Sequence, residues 1–145
     1  MIDDIRKEME LPEGALVTNL FIPVVVVCSK VDLIQNGEPA LKQMLETNLD
    51  FIQYSLRKFC LSFGAALVFA STTSSGSLGA TKLTALGGEQ QGQHIQLIYD
   101  YFLARIYDQD FGFASNTSDK EGLFIPTGFD SLPLIQEFYS GILQG

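Results

Sequence analysis

Two short apolar runs flank one long stretch of helical periodicity in this chain of 145 residues. The first run, residues 22–28, is rich in valine, which predicts a β-strand buried on both faces of a sheet. The second run, residues 65–70, lies between Gly64 and Ser71 and predicts another buried strand. With the helix between them, the two strands predict a βαβ unit with a right-handed crossover.

Apolar residues recur every three or four positions between these strands, which predicts one long amphipathic helix. Gly64 suits the left-handed conformation that ends many helices. Arg57 and Lys58 suit the C-terminal end of the helix dipole. Asn48 or Asp50 could instead cap a shorter helix within this span. The residues that share the predicted apolar face are Leu41, Leu45, Leu49, Ile52, Leu56, Phe59, Cys60 and Phe63.

The second half of the chain predicts a helix, a short strand and an apolar tail. Residues 71–93 come first; they are rich in Ser, Gly and Gln, which predicts a flexible low-complexity insertion. A strand is predicted at residues 123–125, stopped by Pro126, and residues 134–143 are apolar enough to pack back on the rest. The helix is predicted over residues 94–107, with an apolar face of Ile95, Ile98, Tyr99, Phe102 and Ile106.

Composition narrows the class of protein. Hydrophobic residues make up 46% of the chain, which is too apolar for a disordered protein. No apolar run reaches the ~18 residues of a transmembrane helix, and the first residues do not read as a signal peptide. The net charge of -8 and the pI near 4.4 argue against nucleic acid or an anionic membrane as a partner.

Cysteine and histidine usage predicts neither a disulfide framework nor a metal site. Cys28 and Cys60 form no C-x-x-C pair, so we expect buried free thiols of a reducing cytosol. His94 is the single histidine and has no second ligand at metal-binding spacing. Asp130 is expected to cap a turn.

Small polar residues follow both predicted strands, where open α/β sheets bind ligands. After the first strand comes Ser29-Lys30-Val31-Asp32, which looks like the Asn/Thr-Lys-x-Asp motif of Ras-type G domains. In that motif the Asp carboxylate accepts hydrogen bonds from guanine, and the Lys stem covers the base. Ser71, after the second strand, matches the first residue of the Ser-Ala-Lys motif. Ser29, Lys30, Asp32 and Ser71 are therefore candidate guanine-pocket positions; an ordinary solvated βα loop is the alternative.

The rest of a GTPase site is missing from this sequence. No G-x-x-x-x-G-K-[ST] motif occurs, so the chain has no phosphate loop of its own. No D-x-x-G follows a predicted strand. Phosphoryl transfer needs a phosphate cradle, a metal and a positioned water. We therefore expect no catalysis, and GDP or GTP binding only with a further N-terminal half.

Three longer stretches resemble the dynein light intermediate chains. They are residues 19–32, residues 50–67 apart from a short gap, and residues 124–131. The resemblance implies a partial Ras-like, P-loop NTPase-type α/β fold, with a mostly parallel sheet, flanking helices and no phosphate-loop half. It also implies a non-catalytic subunit that binds the dynein heavy chain and other dynein subunits. Cargo adaptors would bind a C-terminal region absent here.

On this interpretation residues 1–145 are the C-terminal part of one G-like domain, in which residues 1–14 form a leading segment and residues 71–93 a flexible insertion. The protein would be cytoplasmic and reach microtubules through the dynein complex. The alternative is the C-terminal half of a Ras-like small GTPase that binds guanine nucleotide. In a Ras-type sheet the strand near residues 24–28 pairs with a strand of the other half. We therefore expect this chain alone to be poorly soluble or molten.

Overall fold

The computed structural model describes residues 10–18, 20–31, 33, 39–70, 93–118 and 122–144. Nearly all of the predicted insertion and residues 1–9 of the leading segment lie outside them. The elements alternate along the chain and agree closely with the predicted ones. They are β1 (Val25–Ser29), α1 (Pro39–Phe63), β2 (Ala66–Ala70), α2 (Gln93–Ile106), β3 (Phe124–Ile125) and α3 (Leu132–Gln144).

The three strands form one mixed sheet in the order β1-β2-β3. β1 and β2 run parallel, with Val25 opposite Ala66. β3 pairs antiparallel to β2, with Leu67 opposite Ile125. A βαβ unit thus forms the centre of an α/β fold, and the short β3 closes its other side.

β2 is the strand that is buried on both faces, which confirms the prediction for the second apolar run. Ala66, Leu67 and Val68 are fully buried, and Phe69 is 1% exposed. The same prediction for the first run is wrong, since β1 is only half-buried and Val27 is 42% exposed. The reason is position: β1 pairs with β2 alone and forms the edge of the sheet among the described residues.

α1 covers one face of the sheet as a single helix of 25 residues. It runs through Asn48 and Asp50 without interruption, so the shorter, capped helix does not form. Leu49, Cys60 and, partly, Leu56 pack against side chains of β1 and β2. The predicted apolar face is broader than the buried one, because Ile52 and Phe59 are 43% and 50% exposed. We attribute this exposure to the edge position of β1, beyond which the described sheet offers no surface.

α1 ends just before Gly64, which has the left-handed conformation that the sequence predicts. Gly64 has φ +62°, and a Cβ atom there would come within 2.8 Å of Leu16 Cδ1. Only glycine meets both conditions without strain. The Ala65 N–H donates to Cys60 O at 2.8 Å, the 6→1 bond of a Schellman motif. The chain therefore enters β2 immediately after the helix.

α2 covers the opposite face of the sheet, but with a different side from the predicted one. Leu97, Tyr101 and Ala104 are buried, whereas Ile95 and Tyr99 are 66% and 57% exposed. The Tyr101 ring makes edge contacts with Phe111 and Phe124. Its hydroxyl donates to Thr127 Oγ1 at 2.9 Å and accepts from the Thr127 N–H. The helix carries two apolar stripes. The ring contacts and hydrogen bonds of Tyr101 favour burial of the stripe that contains it.

A buried ion pair connects α1 to the loop before α3. Arg57 Nε donates to Asp130 Oδ2 at 2.9 Å, and Arg57 Nη2 donates to Asp130 Oδ1. The two residues are 4% and 6% exposed. Arg57 therefore does not serve the helix dipole, and Asp130 is an ion-pair partner. The cap of α3 is Ser131, whose Oγ accepts from the Leu134 N–H at 3.5 Å.

Removing one partner of this pair should destabilise the protein strongly. We expect Asp130→Ala to lower the free energy of unfolding by about 3–5 kcal/mol, because it leaves the Arg57 charge buried without a partner. The double variant Arg57→Met/Asp130→Leu should lose clearly less. Lys58→Met is the matched control, since Lys58 is exposed and only covers the Tyr54 ring. Urea unfolding of the full natural protein measures all three; equal losses for the single and double variants would contradict this account.

The open edge of β1 should make the isolated chain associate. An unpaired, apolar edge strand is a template for pairing with another copy. We expect Val27→Lys to raise the soluble, monomeric fraction of residues 1–145, measured by sedimentation. Ile95→Lys is the control, because it places the same charge at an exposed apolar position on α2. A wild-type chain that stays monomeric at high concentration, or an equal gain from both variants, would rule out association through this edge.

Candidate functional site

The two parallel strands end side by side at the carboxyl edge of the sheet. Ser29, the last residue of β1, is opposite Ala70, the last residue of β2. The Val31 N–H also faces Ala70 O at 3.5 Å, so the two chains stay together just beyond the strands. The structure thus brings the carboxyl ends of β1 and β2 together, at the edge where ligands bind in open α/β sheets.

Two of the four candidate guanine-pocket residues lie among the described residues. Ser29 and Lys30 are both exposed. Lys30 has φ +62°, a conformation that costs a non-glycine residue of order 1 kcal/mol. Its carbonyl oxygen accepts from the Leu33 N–H at 3.2 Å. The chain therefore turns sharply at Lys30. Asp32 and Ser71 lie outside the described residues, so the guanine pocket stays a prediction.

The described part of the chain contains no candidate metal centre. None of its His, Cys, Asp and Glu side chains gather in a group of three or more that could hold a metal ion. The His94 backbone belongs to α2, but its side chain lies outside the description. No helix in the described ranges is long and apolar enough to cross a membrane.

The two thiols lie on the α1 side of the sheet. Cys60 is 3% exposed and Cys28 is half-buried, so the prediction of a buried thiol is confirmed for Cys60 and only partly met by Cys28. Burial raises the pKa of Cys60 to about 12, with smaller contributions from Cys28 and the Asp130 carboxylate. Burial also raises the pKa of Cys28. Because the thiolate is the reactive form, both side chains are packing groups at neutral pH.

The geometry of the site does not identify a protein family, whereas sequence comparison does. The family model described as dynein light intermediate chain (DLIC) matches residues 1–143. The chain belongs to the dynein light intermediate chain family. The resemblance of its strand and helix segments to this family is thereby confirmed over nearly the whole chain.

Curated relatives include cytoplasmic dynein 1 light intermediate chain 1 from two vertebrates. The Gallus gallus protein is 35% identical over 123 residues, which are 83% of this chain and 20% of the relative. The Homo sapiens protein is 33% identical over 131 residues, or 89% of this chain and 22% of the relative. The chain therefore spans about a fifth of the length of the relatives it matches.

A solved structure supports the fold. The crystal structure of the dynein light intermediate chain's conserved domain matches with a TM-score of 0.62 and 19% sequence identity. The match covers 88% of this chain and 37% of that one. This structural similarity confirms the predicted Ras-like α/β fold.

The Arg57–Asp130 pair is the polar feature that sequence reasoning missed. Its partners are 73 positions apart, and no local pattern connects them. In the structure Arg57 lies one helical turn after Gln53 and one turn before Leu61, and both neighbours are buried, which the polar Gln53 did not reveal in the sequence. A charged residue between two buried positions on a helix face predicts a buried partner elsewhere.

Cys60 should resist alkylation as long as the protein is folded. With a pKa of about 12, about one Cys60 side chain in ten thousand is a thiolate near pH 8, against roughly a quarter in the unfolded chain. We expect iodoacetamide to leave Cys60 unlabelled in the folded protein and to label it readily in urea, as read by peptide mass spectrometry. While the protein stays folded, the labelling rate of Cys60 should rise steadily with pH, because the thiolate fraction grows about tenfold per pH unit below the pKa. Equal labelling rates in both states would contradict the buried position.

Proposed function

We propose that this chain belongs to a non-catalytic scaffold subunit of the cytoplasmic dynein motor complex, which binds the heavy-chain tail and supports microtubule-based cargo transport. The observation that carries the proposal is the family match over residues 1–143. The named relatives are light intermediate chains of cytoplasmic dynein 1. On this proposal the protein is cytoplasmic and reaches microtubules through the dynein complex.

The described structure is consistent with a scaffold. Its well-packed part is the sheet between α1 and α2. Two polar pairs in its interior serve structural contacts: Arg57 with Asp130, and Tyr101 with Thr127. Several large apolar side chains remain exposed on the two helices, as at surfaces that bind other proteins. They are Met44, Phe51, Ile52 and Phe59 on α1, and Ile95, Tyr99 and Ile106 on α2.

We further propose that Ser29, Lys30, Asp32 and Ser71 form no working nucleotide site by themselves. The sequence has no phosphate-loop motif, and a guanine contact alone leaves the phosphates without a cradle. GDP or GTP would be held only if another part of the protein supplied that cradle. Other dynein subunits are partners on this proposal, while cargo adaptors bind outside residues 1–145.

Co-purification tests the subunit role. We expect the full natural protein to co-purify in stoichiometric amount with a dynein heavy-chain tail. Leu67→Asp, which buries a charge in the fully buried β2, should unfold the domain and abolish the association. Gln136→Asp, which adds the same charge at an exposed position on α3, should leave it unchanged.

Two outcomes would overturn the proposal. The first is the absence of any association between the folded wild-type protein and the heavy-chain tail. The second is measurable GTP turnover by the same preparation that is lost in Asp32→Asn, which would make the protein a GTPase.

A further inference from the structure

A cavity of about 380 Å³ lies at the amino-terminal ends of the parallel strands, opposite the Lys30 end of the sheet. Its wall combines the loop before β1, the end of α1, the last turn of α2 and the loop after β3. Apolar side chains dominate the lining, among them Leu16, Phe21, Leu61, Phe63 and Pro126. A cavity of this size and composition is in the range of binding sites for small molecules or for one or two large side chains.

The polar groups of the inner wall already have partners. The Asp130 carboxylate accepts hydrogen bonds from Nε and Nη2 of the buried Arg57. Thr127 Oγ1 accepts from the Tyr101 hydroxyl at 2.9 Å and donates to Gly64 O at 3.1 Å. A guest therefore finds no unmet hydrogen bond at these groups, and an apolar group suits the space best.

Arg105 is the exception in this lining. It lies in the last turn of α2 and is exposed. No carboxylate among the described residues lies within ion-pair distance of it. The described lining contains one other charged side chain, Asp130, whose charge Arg57 neutralises. The mouth of the cavity thus carries one positive charge on a chain whose net charge is -8, which favours an acidic group on the guest.

The rim favours a polypeptide over a small carboxylate. Phe21 and Ile22 line the cavity, yet they are 75% and 67% exposed. A small molecule in the cavity would leave most of this apolar rim in water. A peptide extends beyond its anchor side chain and would cover the rim, as in protein interfaces in which an anchor fills a pocket.

We propose that this cavity binds a peptide segment of another protein, in which a leucine or aromatic side chain fills the cavity and a neighbouring carboxylate pairs with Arg105. The site lies at the end of the sheet away from the candidate guanine-pocket residues. The proposal does not depend on the dynein role, because it rests on the shape and charge of the cavity alone.

Fluorescence anisotropy on the full natural protein tests the site with a labelled peptide that carries one phenylalanine followed by two glutamates. We expect saturable binding that weakens with added salt. Replacing the two glutamates by lysines, or the phenylalanine by alanine, should each weaken binding more than about tenfold. Dodecanoate, a small apolar carboxylate, should not displace the peptide at equal concentration.

Variants of the protein locate the binding. Arg105→Gln should weaken binding about fivefold and Arg105→Glu more than tenfold. Ile22→Asp, which places a carboxylate on the exposed rim, should weaken it similarly to Arg105→Glu. Lys58→Glu is the matched charge control, since Lys58 lies outside the lining, and it should bind like the wild type. Unchanged thermal unfolding of each variant shows that the fold is retained.

Several results would overturn the proposal. They are no binding of the acidic peptide, equal binding of the lysine peptide, and binding that is insensitive to Arg105→Glu. Displacement by dodecanoate would show that the cavity takes small carboxylates. Binding gained only after deletion of residues 1–9 would make the chain's own leading segment the occupant.

Discussion

The burial of β2 is the constraint on which the rest of this structure depends. Residues 66–69 contact other atoms on every side, with both faces covered and both edges paired. Side chains that point one way pack under α1, and those that point the other way pack under α2. A shift of β2 by one residue would exchange the two sets. The register of β1 and β3 and the positions of both helices follow from this strand.

The polar contacts at the amino-terminal end of the sheet hold the elements around β2 together. Arg57 and Asp130 tie α1 to the loop that leads into α3. Tyr101 and Thr127 tie α2 to the same loop, and Thr127 also binds the Gly64 carbonyl at the turn between α1 and β2. Because these buried side chains hydrogen-bond to one another, they fix the loop between β3 and α3. The cavity beside Arg105 lies within this frame.

Sequence reasoning predicted the elements well and their burial less well. Periodicity located α1, α2 and β2 to within about two residues, because spacing of apolar residues is a local signal. It could not show that β1 lies at an edge, since valines in an edge strand and in a central strand look alike. It also chose the wrong stripe of α2, because Tyr101 is buried by contacts with Phe111, Phe124 and Thr127, which lie beyond the helix and do not affect its periodicity. The Arg57–Asp130 pair depends in the same way on tertiary structure. At the candidate guanine pocket, the structure places Ser29 and Lys30 at the expected sheet edge and does not describe Asp32 or Ser71.

Among its described residues, this member of the dynein light intermediate chain family has a central strand, β2, buried on both faces and a more exposed strand, β1, at an edge of the sheet. Amide hydrogen exchange of this chain in dilute solution tests that description most directly. The amide hydrogens of β2 should exchange only when a large part of the structure opens. Those of the edge strand β1 should exchange after local fraying alone. The account predicts that the amides of Leu67, Val68 and Phe69 exchange last and those of Val25 and Val27 much earlier. Protection of β1 equal to that of β2 would contradict it.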